Sequence, residues 1–183
     1  MNDGLSTIVL YQICTMVSQD AAICQSFLRL LVDKLSEGGR DSFLPGAISN
    51  IIELQPNSAG NLWKPIIEEA LFGQDGLDVR LILQNSVKLT GDNFYHFTKA
   101  FCGTVLMADR PDLYLSLVEN NTSRIGMISQ LLIANYEKSS NYYLQLQVVK
   151  TFGTFLAEMK NAPEELTVIV LQMLRSVPVL STT

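Results

Sequence analysis

The sequence predicts an all-α protein of about ten helices, arranged as antiparallel hairpins stacked in a row. Three observations lead there. Gly, Pro, Asn and Asp punctuate the chain at regular intervals, and every stretch between them has helical rather than alternating periodicity. Ten helices are too many for one ordinary compact bundle but usual for stacked hairpins. Several of the helices also carry apolar faces wider than a surface helix needs.

Taken in order, the spacing predicts helices over 4–17, 20–37, 43–54, 59–72, 77–90, 92–108, 111–120, 123–138, 141–160 and 162–177. Gly38 and Gly39 close the second, since glycine takes the left-handed conformation that ends many helices. Asp92 after Gly91 and Thr122 after Asn121 are expected N-caps, and Asp109 before Arg110 and Pro111 opens a helix in the same way. The last helix should start at Asn161, with Pro163 in the first turn and Glu164 completing an approximate capping box.

These spans set the faces. In 141–160, Leu144, Val148, Phe152, Phe155 and Met159 make one stripe, and Leu146, Val149, Gly153 and Leu156 a second beside it. Gln147, Lys150, Thr151, Thr154 and Glu158 are left as a narrow outward strip. In 92–108, Phe94, Phe97, Phe101 and Val105 form a column. The stretch KAFCGTVL (99–106) is echoed by KTFGTFL (150–156), each with a mid-helix Gly-Thr. The expected reason is a close helix crossing that offsets glycine's cost of up to about 1 kcal/mol relative to alanine. A one-residue gap between the copies turns every later position by 100°, so the echo reads as shared packing demand rather than a functional motif. The final helix, with Leu166, Val168, Ile169, Val170, Leu171, Met173, Leu174 and Val177, is apolar nearly all round. It should be buried, either by further repeats of a longer array or by a partner chain.

Helix pairs starting near Leu5, Phe43, Leu77, Asp112 and Asn141 recur at about 30–40 residues and resemble the HEAT and armadillo class of α-solenoids. Asp78, Val79 and Arg80 hint at the Asp-Val-Arg feature of a HEAT second helix. The resemblance implies one helical-repeat domain over 1–183, a segment of a longer solenoid, serving as a protein-binding scaffold or transport-receptor segment.

Composition narrows the function classes. The chain has 183 residues, 48% hydrophobic, with a net charge of -5 from 13 basic and 18 acidic side chains. The basic residues stand alone, so no run of Lys and Arg neutralises several phosphates, and direct nucleic-acid binding is not expected. Cys14, Cys24 and Cys102 lack C-x-x-C spacing and have apolar neighbours, as small buried hydrophobes in a reducing compartment do. Asp3 stands where a signal peptide would carry Lys or Arg, and the sequons at Asn120 and Asn121 read as a helix-starting turn. The apolar run 166–180 is interrupted by Gln172, Arg175 and Pro178 and falls short of a membrane span of roughly 20 residues. A cytoplasmic or nuclear location is expected.

Catalytic sets are not evident. His96 is the single histidine, so a site with two imidazoles is excluded, and no G-x-S-x-G elbow presents a serine to a His96–Asp92 pair. Glu68–Glu69 and Glu164–Glu165 project about 100° apart on their helices and do not converge on one atom. Neither phosphate-binding glycine motif occurs, and no metal or cofactor is expected. The expected role is therefore a non-enzymatic protein-binding scaffold or adaptor segment of a larger eukaryotic assembly. Trp63, Tyr142, Tyr143, Leu171 and Leu174 are the candidate contact residues, and the partner is another protein or adjacent repeats of the same larger chain. The alternative is a compact all-helical bundle that holds an apolar ligand or lipid around the final helix.

Overall fold

A computed structural model describes residues 3–38, 43–73, 76–108, 110–138, 141–158 and 164–176. The described residues are mostly helical, and none of them is in a strand. The α-helices are α1 (Asp3–Val17), α2 (Ala21–Ser36), α3 (Leu44–Leu54), α4 (Trp63–Phe72), α5 (Val79–Asn85), α6 (Gly91–Met107), α7 (Pro111–Asn120), α8 (Ile125–Lys138), α9 (Tyr142–Glu158) and α10 (Glu164–Ser176). Three 3-10 segments, Pro56–Leu62, Ser86–Lys88 and Thr122–Arg124, sit before α4, after α5 and before α8. The packing divides the chain into two compact units, Met1–Thr104 and Val105–Thr183, with the division inside α6.

In the first unit α1 packs on α2 and α3, α2 lies on α3 and on Pro56–Leu62, and α3 meets α5. Cys24, Leu28, Leu31, Val32 and Leu35 recur at helical spacing along α2 and are all buried, as are Ala47, Ile48, Ile51 and Ile52 on α3. A second cluster is aromatic. Trp63 at the start of α4 meets Phe97 of α6 edge to face at 4.9 Å, and Phe97 is flanked by Phe101 at 5.5 Å and Phe94 at 6.4 Å.

Local chemistry sets the helix boundaries. The Asp20 carboxylate accepts from the Ala22 and Ile23 N–H groups, and Asp78 accepts from Arg80 N–H, so each satisfies orphan donors of its helix. Gly38, at φ +80°, closes α2 as expected. Gly60, at φ +48°, breaks the 3-10 segment; a Cβ there would also press on Gln25 Nε2 at 3.2 Å, so only glycine fits this bend. Asn57 then ties the bend to the entry of α6: its Nδ2 donates to the Lys88 carbonyl at 3.3 Å, and Thr90 N–H donates to its Oδ1 at 3.1 Å.

Two expected caps differ. Asp92 is the second residue of α6, where its charge favours the helix from within the first turn. Thr122 starts a 3-10 segment that has no side-chain cap. Asn161, Pro163, Asp109, Gly39, Met159 and Val177 lie outside the described residues.

The second unit is built on α9, which packs against α7, α8 and α10. Leu113, Tyr114, Leu117 and Val118 of α7, Ile128, Leu132 and Tyr136 of α8, Val148 and Phe152 of α9, and Val170 and Met173 of α10 form its core. The Tyr136 hydroxyl donates to the Met173 carbonyl at 3.2 Å and pins α8 to the second half of α10. The outward strip expected on α9 is corrected here: Gln147 and Thr151 are buried, Thr151 Oγ1 donating to the Gln147 carbonyl at 2.8 Å, while Leu146 is exposed. The helix is turned so that both its neighbours and its polar interior bonds are served.

The close crossing expected at the two Gly-Thr pairs is not found. A Cβ added at Gly103 or Gly153 meets nothing within 4 Å. The threonines instead return their hydroxyls to the preceding turn, Thr104 to Ala100 O at 2.9 Å and Thr154 to Lys150 O at 3.0 Å. Glycine therefore has no packing role at either position among the described residues. Gly103→Ala and Gly153→Ala should each stabilise by about 0.5–1 kcal/mol, read as a higher urea midpoint at unchanged slope. A destabilisation at either site would restore the crossing.

Candidate functional site

The five candidate contact residues separate into core and surface. Trp63 is corrected: at 1% exposure it is an element of the aromatic core and not a surface anchor. A large ring beside Phe97 gains more from burial than it would at the start of an exposed helix. Tyr142 and Tyr143 are exposed in the first turn of α9, where Tyr143 N–H donates to Asn141 Oδ1 at 2.9 Å, so a side-chain turn fixes the tyrosine pair to the helix start. Leu171 and Leu174 are half exposed on α10.

The final helix is thus not buried all round, contrary to the expectation from its composition. Val170 and Met173 turn inward, and Val168, Leu171 and Leu174, three residues apart, make an outward apolar stripe. Because α9 and α10 pack on one another, the second unit presents six large apolar or aromatic side chains on two adjoining helices: Tyr142, Tyr143 and Leu146, and Val168, Leu171 and Leu174. Sequence reasoning misses Leu146, which lies in a stripe assigned to the core, and Val168, which stands in a helix expected to be buried on every side. It also misses the outer face of α1, where Ile8, Val9, Tyr11, Ile13 and Met16 are exposed. The absence of any charge between Gly4 and Gln19 is the signal that could have found it.

Among the described residues, no group of three or more His, Cys, Asp and Glu side chains is placed to hold a metal ion. His96 is exposed and meets Tyr95 edge to face at 5.8 Å. Glu68 pairs with Lys64 at 3.8 Å on an exposed helix face, and Arg110 makes a two-pronged contact with Asp112 at 2.9 and 2.7 Å that raises the guanidinium above its usual value. All three thiols are buried. Burial raises Cys102 and Cys14, the latter further through its neighbour Cys24, so both stay protonated and weakly nucleophilic at neutral pH. A 440 Å³ cleft in the first unit is lined by Ala21, Ala22, Gln25, Gln55, Asn57, Ser58 and Asn93, without an acid, base or nucleophile of perturbed reactivity. No described helix is long and apolar enough to cross a membrane.

Comparison with protein-family models, with curated proteins and with solved structures finds no match to the chain.

Proposed function

We propose that the chain is a non-enzymatic protein-binding scaffold or adaptor segment of a larger assembly, acting in the cytoplasm or nucleus. The observation that carries this reading is the exposure of six large apolar or aromatic side chains on α9 and α10, two helices that pack on one another, since exposed apolar surface beyond scattered single residues marks contact sites. The repeat arrangement belongs to the same proposal: antiparallel hairpins of HEAT or armadillo type, stacked as an α-solenoid. It is supported by the packing order, because the principal packings among the described residues join helices one or two places apart in chain order, α1 to α3, α3 to α5 and α7 to α9 among them. A quasi-one-dimensional array packs in this way.

Photoreactive groups introduced at positions 143 and 171 should cross-link the same protein from cells. Tyr143→Ala and Leu171→Glu, both at exposed positions, should weaken that protein's binding at least about thirtyfold with the far-UV spectrum and Tm unchanged. Binding that survives both substitutions would overturn the reading. Small-angle scattering tests the array separately: a compact bundle of this length has a radius of gyration of about 16 Å, and a solenoid exceeds it.

A further inference from the structure

We propose that the cleft of the first unit binds a neutral carbohydrate, held through adjacent hydroxyl groups by side-chain amides. Its volume of about 440 Å³ lies within the range of small-molecule sites. Gln25 reaches it from α2, Gln55, Asn57 and Ser58 from the bend between α3 and α4, and Asn93 from the start of α6. The bonds that make the bend also fix these walls. Asn57 uses both ends of its amide, donating to the Lys88 carbonyl and accepting from Thr90 N–H, and so ties the bend to the entry of α6. Gly60, at φ +48°, leaves room for Gln25 Nε2, which sits 3.2 Å from where a Cβ would stand. A site braced in this way is formed before a ligand arrives.

Ser58 is the observation that points to a ligand. It lines the cleft, is only 6% exposed, and its hydroxyl is shielded from water with no hydrogen-bond partner among the described residues. A hydroxyl buried unpaired costs stability, and a ligand oxygen in the cleft supplies the missing partner. Gln25 is exposed and Gln55 and Asn93 are half-buried, which leaves their amides within reach of the same ligand.

The lining selects the class of ligand. It holds no Lys, Arg or His, and Asp20 and Asp92 stand next in sequence to the wall residues Ala21 and Asn93, so an anion meets like charge. It holds no carboxylate, thiol or imidazole for a metal ion and no aromatic ring on which a nucleobase could stack. A peptide strand needs a free sheet edge, and none of the described residues is in a strand. A neutral group rich in both donors and acceptors fits. A planar amide sets an oxygen acceptor beside an N–H donor, and two neighbouring sugar hydroxyls present the complementary pair. Ala21 and Ala22 add a small apolar contact for the C–H face of the ring.

The proton–nitrogen NMR spectrum of the full chain tests this with D-glucose, D-galactose, D-mannose and N-acetyl-D-glucosamine, each titrated above the millimolar dissociation expected of a small ligand on an open site. At least one of the four should move the side-chain amide signals of Gln25 and Asn93 and reach saturation. Gln25→Leu, at an exposed position, should weaken that binding about tenfold with the Tm unchanged. Ser58→Ala should weaken it by a similar factor and yet leave the Tm equal or higher, because the hydroxyl removed has no partner in the free protein. Four sugars that leave both signals unmoved, binding indifferent to Gln25→Leu and Ser58→Ala, or a fall in Tm for Ser58→Ala would each overturn the proposal. So would inorganic phosphate or N-methylacetamide, a stand-in for the peptide group, saturating the same signals more tightly than any of the sugars.

Discussion

Phe97→Ala is expected to lower the unfolding free energy of the first unit by about 3–5 kcal/mol, the range for removing a fully buried ring. Phe97 is wholly excluded from solvent and touches Trp63 at 4.9 Å, Phe101 at 5.5 Å and Phe94 at 6.4 Å. Its loss forfeits the transfer free energy of the ring and the edge-to-face contact with the indole, and it leaves a void lined by three rigid rings that cannot collapse into it. Trp63 is the single tryptophan, so its fluorescence reports the transition directly in a urea titration. Tyr95→Ala, two residues earlier on the exposed side of α6, supplies the control and should cost no more than about 0.5 kcal/mol. A loss below about 1 kcal/mol at Phe97 would show that the rings are not packed as described.

Alkaline destabilisation is the second large effect. Cys102 is completely buried, and burial raises its thiol well above the ordinary value of 9.0. In the unfolded chain the thiol loses its proton near that ordinary value; in the folded chain it keeps it. Above about pH 9 the unfolded state therefore binds fewer protons, and stability falls as pH rises, by about 1.4 kcal/mol per pH unit for this one group. Below the ordinary thiol value the contribution is fully present. Cys14, raised in the same direction, adds to the slope. Urea midpoints of the wild type and of Cys102→Ala, compared between pH 8 and pH 10, isolate the effect of this thiol, since lysines and tyrosines titrate in both. The variant should show the shallower decline; parallel curves would mean that the thiol is reached by solvent.

Helix positions were legible in the sequence to within a few residues, from α1 to α10, because punctuation by Gly, Pro, Asn and Asp acts locally. The aromatic column of α6 was legible for a related reason: Phe94, Phe97 and Phe101 share one face at helical spacing whatever they pack against. Rotation of α9 was not. Leu146 and Val148 are equally apolar in the sequence, and which one turns inward depends on where α7, α8 and α10 lie. The same holds for Trp63, whose ring could have served a surface or a core until Phe97 was placed beside it.

The chain by itself determined an all-helical protein, the spans of its helices and the lack of any recognisable catalytic motif, since these depend on neighbours a few residues apart. Only the tertiary structure decided which apolar faces are used up internally and which, on α1, α9 and α10, are left outward. Burial is set by partners distant in sequence, and hydrophobicity alone does not say which side of a helix they occupy.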